Sequence, residues 1–327
     1  MRVLVTGATG FLGNRVTAAV AEHGHDVVAM VRPSRESTEG IPYDTVRADL
    51  RVRSTLAPAL AGIDAVVHLA ACVVGDDDAQ FASTVVGTEN LLAAMAEVGV
   101  PRLVHCSTFS VYDWWRARSP MNERSPLESD NLYGRDGYAI SKTWQERLVR
   151  RHAEEHSTKL TVLRPGFIWG PGLEETSGIG QPIGPLRLVF GPQRPLPLTY
   201  VENCAEAFAR VLDVPITVGE TYNVLDTPFV SAWKHQDRCR RELGERYWRV
   251  PVPDWLAMAG AHTATLVSKT LYRGKGKLPG ILMPNRFRAR FRPIRFDASK
   301  LHAAIGPFEK RSYDEAWQRI SDARRAS

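Results

Sequence analysis

Over the first 170 residues, short apolar runs alternate with stretches in which apolar positions recur every three or four residues. RVLVT (2–6) is a run of strand formers that ends in a glycine loop, and residues 11–22 then carry Phe11, Leu12, Val16 and Ala19 at helical spacing. DVVAMV (26–31) predicts a second strand, 53–61 a helix, and DAVVHLA (64–70) a third strand. Residues 80–98 read as a long helix closed by Gly99 and Pro101, and RLVHCST (102–108) as the fourth strand. Residues 138–155 place Ile140, Trp144 and Leu148 on one helical face, and LTVLRP (160–165) is a fifth strand stopped by proline. Strands that are apolar on both faces and alternate with helices predict an α/β fold, a doubly wound parallel sheet with helices on either side.

The texture changes after Gly170. Residues 171–198 are rich in Gly and Pro, with poor periodicity. A strand near 199–201, a helix over 202–213 and the run TYNVLD (221–226) read as a return to the sheet. An apolar helical stretch follows at 251–272, then a basic segment and a final helix over about 312–325. The expected division is a dinucleotide-binding domain from 1–170 and 199–226, and a smaller domain from 171–198 and 227–327, built from insertions and the C-terminus.

Apolar residues make up 44% of the 327 and charged residues 24%, a globular balance that excludes disorder, collagen and coiled coil. No run reaches the ~18 uninterrupted apolar residues of a membrane span. A strand begins directly after Met1, leaving no room for a signal peptide, so a cytoplasmic location is expected. The four cysteines, at 72, 106, 204 and 239, form no CxxC and read as small buried hydrophobes. His152 and His156, one helical turn apart, lie in a charged stretch that reads as a solvated face, so no metal site is expected. The net charge of +6 is uneven: Lys269 to Arg295 holds nine Lys/Arg and no Asp or Glu, leaving −3 for the rest.

TGATGFLG places Gly7, Gly10 and Gly13 between the first strand and the first helix. Glycines there let backbone amides approach a pyrophosphate, and the helix N-terminus adds a positive field. The residue ending the second strand chooses between cofactors: an acid would bond a ribose 2′-hydroxyl, an arginine a 2′-phosphate. Arg32 holds the position with Arg35 close by, which favours NADP and keeps NAD as the alternative.

Tyr138 and Lys142 in YAISK lie i, i+4 on one helical face, where an ammonium would lower the pKa of the phenol. The helix begins about 30 residues after a strand that ends in Ser107 and Thr108, at the sheet edge where doubly wound proteins hold ligands. In this order and spacing, TGATGFLG, Asp49-Leu50, VVHLAA (66–71), STFSVY (107–112), YAISK and LRPGFIWGPG (163–172) resemble the extended short-chain dehydrogenase/reductases, the NAD(P)-dependent epimerase/dehydratase superfamily. YVENCAEA (200–207), YNVLD (222–226) and FDASKLHAAIG (296–306) extend the likeness to nearly the whole chain. The resemblance implies a Rossmann domain with a smaller C-terminal substrate-binding domain. It implies Tyr138 as general acid/base, Lys142 on the nicotinamide ribose, and Thr108 on the substrate oxygen. It further implies cofactor contacts from Gly7, Thr9, Gly10, Phe11, Leu12 and Gly13, from Asp49 and Leu50 beside the adenine, from Leu69, Ala70 and Ala71, and from Pro165 and Gly166 beside the nicotinamide. One departure is Thr84, in TVVGT, where the family has asparagine.

Within that superfamily, Phe109 and Ser110 stand where dehydratases carry an acidic pair, and Leu196 where many nucleotide-sugar enzymes carry arginine. YVEN is similar to the 3β-hydroxysteroid dehydrogenase and dihydroflavonol reductase branch. The expected activity is therefore NADP-dependent interconversion of a ketone or aldehyde and an alcohol. The alternatives are an NAD-dependent nucleotide-sugar 4-epimerase and a non-catalytic NADP-sensing or RNA-binding member. The expected partners are a small-molecule substrate, no nucleic acid, and a second copy of the chain packed through 80–98 and 138–155. Tyr112-Asp113-Trp114-Trp115 would contact substrate or close the domain interface. For the cationic segment three readings stand. It is a strand with one wet face, its arginines alternating with core anchors Phe287, Phe291 and Phe296. With 255–267, it is a peripheral contact to an anionic membrane through 255–295. Or it holds an anionic substrate.

Overall fold

The computed structural model of the chain describes residues 1–325 apart from Glu36, Glu39, Asn131, Ser177 and residues 272–281. In chain order come β1 (Arg2–Thr6), α1 (Phe11–Glu22), β2 (Asp26–Val31), β3 (Asp44–Arg47), α2 (Leu56–Ala59), β4 (Ala65–His68), α3 (Asp77–Phe81), α4 (Gly87–Val98), β5 (Arg102–Cys106), α5 (Gly137–His156) and β6 (Lys159–Pro165). The second half carries β7 (Phe167–Trp169), β8 (Gln181–Ile183), β9 (Leu186–Phe190), β10 (Leu198–Tyr200), α6 (Val201–Asp213), β11 (Thr221–Val224), α7 (Ala232–Glu242), β12 (Trp248–Val252), α8 (Asp254–Leu271), α9 (Pro284–Phe291), α10 (Ser299–Ile305) and α11 (Tyr313–Arg325).

Seven strands form one parallel sheet in the order β11-β6-β5-β4-β1-β2-β3. Successive residues of a strand serve opposite faces. Val3, Val5 and Val104 pack with Val16 of α1 and Phe208 of α6, while Leu4, Val66 and Leu103 pack with Leu91 of α4 and Val149 of α5. That double burial is why these strands read as unbroken apolar runs. The direction of winding reverses between β1 and β4, so a ligand crevice opens at their carboxyl ends.

Two smaller sheets complete the molecule. β10 pairs with β7 rather than joining the main sheet, so of the two later runs only β11 returns to it. β8, β9 and β12 form a three-stranded sheet that the poor periodicity of 171–198 conceals. The long helix expected over 80–98 begins earlier, at Asp77, where Asp76 accepts a bond from Ala79 N at 2.8 Å, and it widens into a π-helical turn over 82–86.

The cationic segment departs most from expectation, because 284–291 is a helix and not a strand. Apolar residues at 287, 289 and 291 satisfy a period of two, but Phe287 and Phe291 are also i, i+4. The helical choice lets both rings meet Phe190, with centroids 5.1 and 4.7 Å away. Pro284 at the first turn supplies the fixed φ that starts it. Lys269 to Leu271 close α8, and the cations at 273, 275 and 277 lie outside the described residues. His152 is also not solvated: it is buried, with Nε2 3.2 Å from Thr158 Oγ1. All four cysteines are free, and three are buried. Among the described residues no helix is long and apolar enough to cross a membrane.

Candidate active site

A cleft of about 1160 Å³ opens at the carboxyl edge of the sheet. It exceeds the volume of a usual single-ligand pocket, leaving room for a dinucleotide and a second molecule. Every residue that the sequence singles out for catalysis or cofactor contact lines it, from Gly7 through Arg32, Asp49, Ala70, Thr108, Tyr138 and Lys142 to Gly166.

The glycine loop forms the floor. Gly7 has φ +70°, and a Cβ there would stand 3.0 Å from Ala70 N. A Cβ on Gly13 would lie 1.9 Å from Gly7 O, so the first turn of α1 can press onto the loop only with glycine in that place. Gly10 caps α1 without any side-chain bond, so the first amides of the helix keep no side-chain partner. Such a cradle fits a pyrophosphate.

Toward the second strand, Arg32 and Arg35 line the same cleft. Their loop is clasped by Arg47 of β3, whose Nη1 donates to Arg35 O at 2.6 Å and Pro33 O at 3.3 Å. Asp49 is held by Arg51 through bonds of 2.7 and 3.1 Å, and this pairing lowers its pKa.

At the other end, Thr108 follows β5 and caps the short turn after it, accepting from Ser110 N at 3.2 Å. Asp136 caps α5 by accepting from Ala139 N at 2.9 Å, which starts the helix just before Tyr138. The Tyr138 phenol and the Thr108 hydroxyl line the same cleft. Burial pushes the phenol above its ordinary pKa, with Thr108 opposing. The lowering expected from Lys142 does not prevail, because the ammonium is turned to Cys106 O at 2.5 Å and to Gln145 Oε1. Burial pulls Lys142 itself down.

Beneath these side chains lie two buried networks that the sequence does not announce. Gln145 Nε2 donates to Thr88 Oγ1 at 2.8 Å and to Ala70 O at 3.1 Å, and His68 joins Thr88 to Thr6 through 2.9 and 2.7 Å contacts. Desolvation drops the His68 pKa to about 3, so the ring is neutral. Glu146, one turn beyond Lys142, takes bonds from Ser107, Arg150 and Arg164 and is held at a pKa of about 2, its burial overcome by Arg164. Arg164 continues to Tyr112 OH at 3.0 Å, which donates to Asn223 Oδ1 at 2.7 Å. Thr84 sits at the centre of the π turn, and its hydroxyl accepts from Cys72 N at 2.9 Å.

The loop before α5, together with α9, lines another part of the same cleft. Arg135, Arg286, Ala289 and Arg290 face it. Trp115 Nε1 donates to Asn285 Oδ1 at 2.6 Å, Arg288 stacks on Trp115 at 4.2 Å, and Arg292 donates to Trp114 O at 2.5 Å. The two tryptophans thus hang α9 on the segment after β5. Only the spacing of Arg286 and Arg290, four apart, hinted that they share a face.

The sequence model described as "NAD dependent epimerase/dehydratase family" matches residues 3–224. The chain belongs to this family. It is an NAD(P)-dependent enzyme of the extended short-chain dehydrogenase/reductase type, as the motifs implied. A family relative, the 2-alkyl-3-oxoalkanoate reductase of Stenotrophomonas maltophilia, is 35% identical over 63% of this chain, and the match spans 64% of that protein's length. A second, the N-acetyl-alpha-D-glucosaminyl-diphospho-ditrans,octacis-undecaprenol 4-epimerase of Escherichia coli O157:H7, is 27% identical over 94% of this chain and 91% of its own. Among solved structures, that of gox2253 superposes with a TM-score of 0.80 at 25% identity, covering 99% of this chain and 98% of that one. Reductases and epimerases thus both stand among the relatives.

Proposed function

We propose that this family member is an NADP-dependent reductase of a ketone or aldehyde. The observation that carries the reading is that Thr108, Tyr138 and Lys142 line one cleft with the glycine cradle that floors it. When bound, the nicotinamide supplies hydride to the carbonyl carbon. Tyr138 would donate its proton to the carbonyl oxygen, and the Thr108 hydroxyl would orient that oxygen. Lys142 would bond the nicotinamide ribose, Pro165 and Gly166 would bracket that ring, and Asp49 and Leu50 would flank the adenine. Arg32, presented at the cleft by the loop that Arg47 clasps, would pair with a 2′-phosphate.

The similarity to a 2-alkyl-3-oxoalkanoate reductase supports this direction, and the greater coverage by a lipid-linked-sugar epimerase keeps the second chemistry as the reading to beat. Absorbance at 340 nm distinguishes them. Purified protein with NADPH should oxidise it in the presence of a suitable ketone. Interconversion of nucleotide- or lipid-linked sugars without net NADPH loss would instead assign the epimerase. A peripheral membrane contact would use α8, which exposes Trp255, Leu256, Leu266 and Val267.

A further inference from the structure

We propose that Arg135, Arg286 and Arg290 form a subsite for an oxyanion, a carboxylate or a phosphate, carried by the substrate itself. The inference rests on the reductase reading for its reaction, but its geometry is independent of it. Arg135 is buried, and among the described residues its Nε has no partner. Its Nη1 reaches only long contacts, 3.4 Å to Tyr112 O and 3.5 Å to Glu128 Oε2. Arg286 spends Nη2 on Arg135 O at 3.1 Å and leaves Nε unpartnered among the described residues. Arg290 has its nearest acid, Asp136, at 3.9 Å, and that carboxylate is already capping α5. Three guanidiniums therefore line one cleft, and the acids beside them are Glu128, at the edge of bonding range, Asp136, already engaged, and the buried Asp113, which is paired with Arg116 at 3.6 Å.

The other acids on the cleft do not restore the balance. Asp77 accepts from Gly137 N at 3.1 Å, and Glu175 is paired with Arg187 at 2.6 Å. Buried or half-buried cations whose ion pairs are this long are incompletely compensated, and an arginine fork that keeps free N–H groups is shaped for a planar or tetrahedral oxyanion. Burial lowers the Arg135 pKa, the direction expected of a charge that is incompletely compensated.

Position assigns this charge to the substrate rather than to the cofactor. The glycine cradle and Arg32 lie at the ends of β1 and β2, whereas Arg135 lies just before α5, three residues ahead of Tyr138, and α5 packs beside β6. Arg286 and Arg290 come from α9, on a face about 100° round the helix from Phe287 and Phe291, which pack with Phe190. An oxyanion bound there would set the carbonyl at Tyr138 from a fixed distance. A 3-oxo carboxylate has that form, and so does a phosphorylated ketone.

The test pairs substrates that differ only in charge: a 3-oxo carboxylate against its methyl ester, and a phosphorylated ketone against its free alcohol. Initial rates with NADPH are measured for the unaltered chain, Arg286→Gln, Arg290→Gln and Arg290→Lys. The ratio of KM for the charged ketone to KM for its neutral partner should rise at least tenfold in the two Gln variants and recover in Arg290→Lys. The pair that shows this effect names the oxyanion. Equal KM values for charged and neutral partners in the unaltered chain, or a ratio that the Gln variants leave in place, would overturn the subsite while the reductase reading stands. If no ketone oxidises NADPH, the reductase reading fails and calorimetry decides the subsite. In that case a 3-hydroxy carboxylate or inorganic phosphate should bind the NADP-loaded chain at least tenfold more weakly after Arg286→Gln, and equal binding would overturn it.

Discussion

Replacing Tyr138 by phenylalanine removes one oxygen from the ring. If the phenol gives the proton, turnover should fall by about 10²–10⁴ with NADPH affinity nearly unchanged, as read by steady-state rates and cofactor titration. Retained turnover would assign proton transfer to another group. Arg32 allows a separate test at the far end of the cleft. Arg32→Glu should weaken NADPH binding at least tenfold and spare NADH, and equal affinity of the unaltered chain for both cofactors would remove the preference for NADP. Residues of this kind were legible in the sequence because their signal is local: Gly7, Gly10 and Gly13 fall within seven positions, Tyr138 and Lys142 within one helical turn. Arg47, Gln145 and Arg135 were not. What matters about them is a partner far along the chain, as when Arg286 donates to the backbone of Arg135, 151 positions away.

Elements are locked together here by buried polar groups as well as by apolar faces. Asp226, in the turn after β11, accepts from Tyr200 N at 2.6 Å and from Asn203 Nδ2 at 3.0 Å, tying that turn to the start of α6. Burial raises its pKa to about 7, against 3.8 unperturbed. The folded state therefore holds the proton more tightly than the unfolded chain. The stability this gives is complete below about pH 4 and is lost as pH rises through 7. A carboxamide in its place cannot ionise, so Asp226→Asn should gain on the unaltered chain by on the order of 2–3 kcal/mol between pH 5 and pH 8. Urea midpoints at the two pH values measure it, and a constant difference would mean that the carboxyl is already ionised at pH 5. At this scale six strands of the main sheet were legible as short, mostly apolar runs, whereas the edge strand β3 was not, because Asp44-Thr45-Val46-Arg47 carries no such run. α9 was not, since Phe287 and Phe291 satisfy a strand's period and a helix's alike, and only the position of Phe190 decides between them.

For the whole molecule, we propose a homodimer. Leu148 is buried in the chain's own core and Trp144, which packs against that core, stays partly exposed, so α5 offers only part of the expected face. The neighbouring surface instead exposes Phe81 and Val86, with Val73 and Val74 on the preceding loop. Light scattering at micromolar concentration should give twice the chain mass of 36.4 kDa. Val86→Glu should halve it, since a charge on an apolar contact disfavours pairing. A single-chain mass for the unaltered protein counts against the dimer.

The suspension of α9 from Trp114 and Trp115 also bears on how such an enzyme changes over evolutionary time. Beside the loop before α5, the cleft is lined by one eight-residue helix, anchored through Asn285, Arg288 and Arg292. The glycine cradle and the clasp of Arg47 are built from residues between Gly7 and Ala70, with no contribution from it. Recruitment to a new substrate could then proceed by exchanging the inward positions 286, 289 and 290 while the anchors stay, a graft that leaves inherited cofactor recognition intact. Libraries randomised at those three positions should therefore yield variants that diverge in substrate choice yet share one affinity for the dinucleotide.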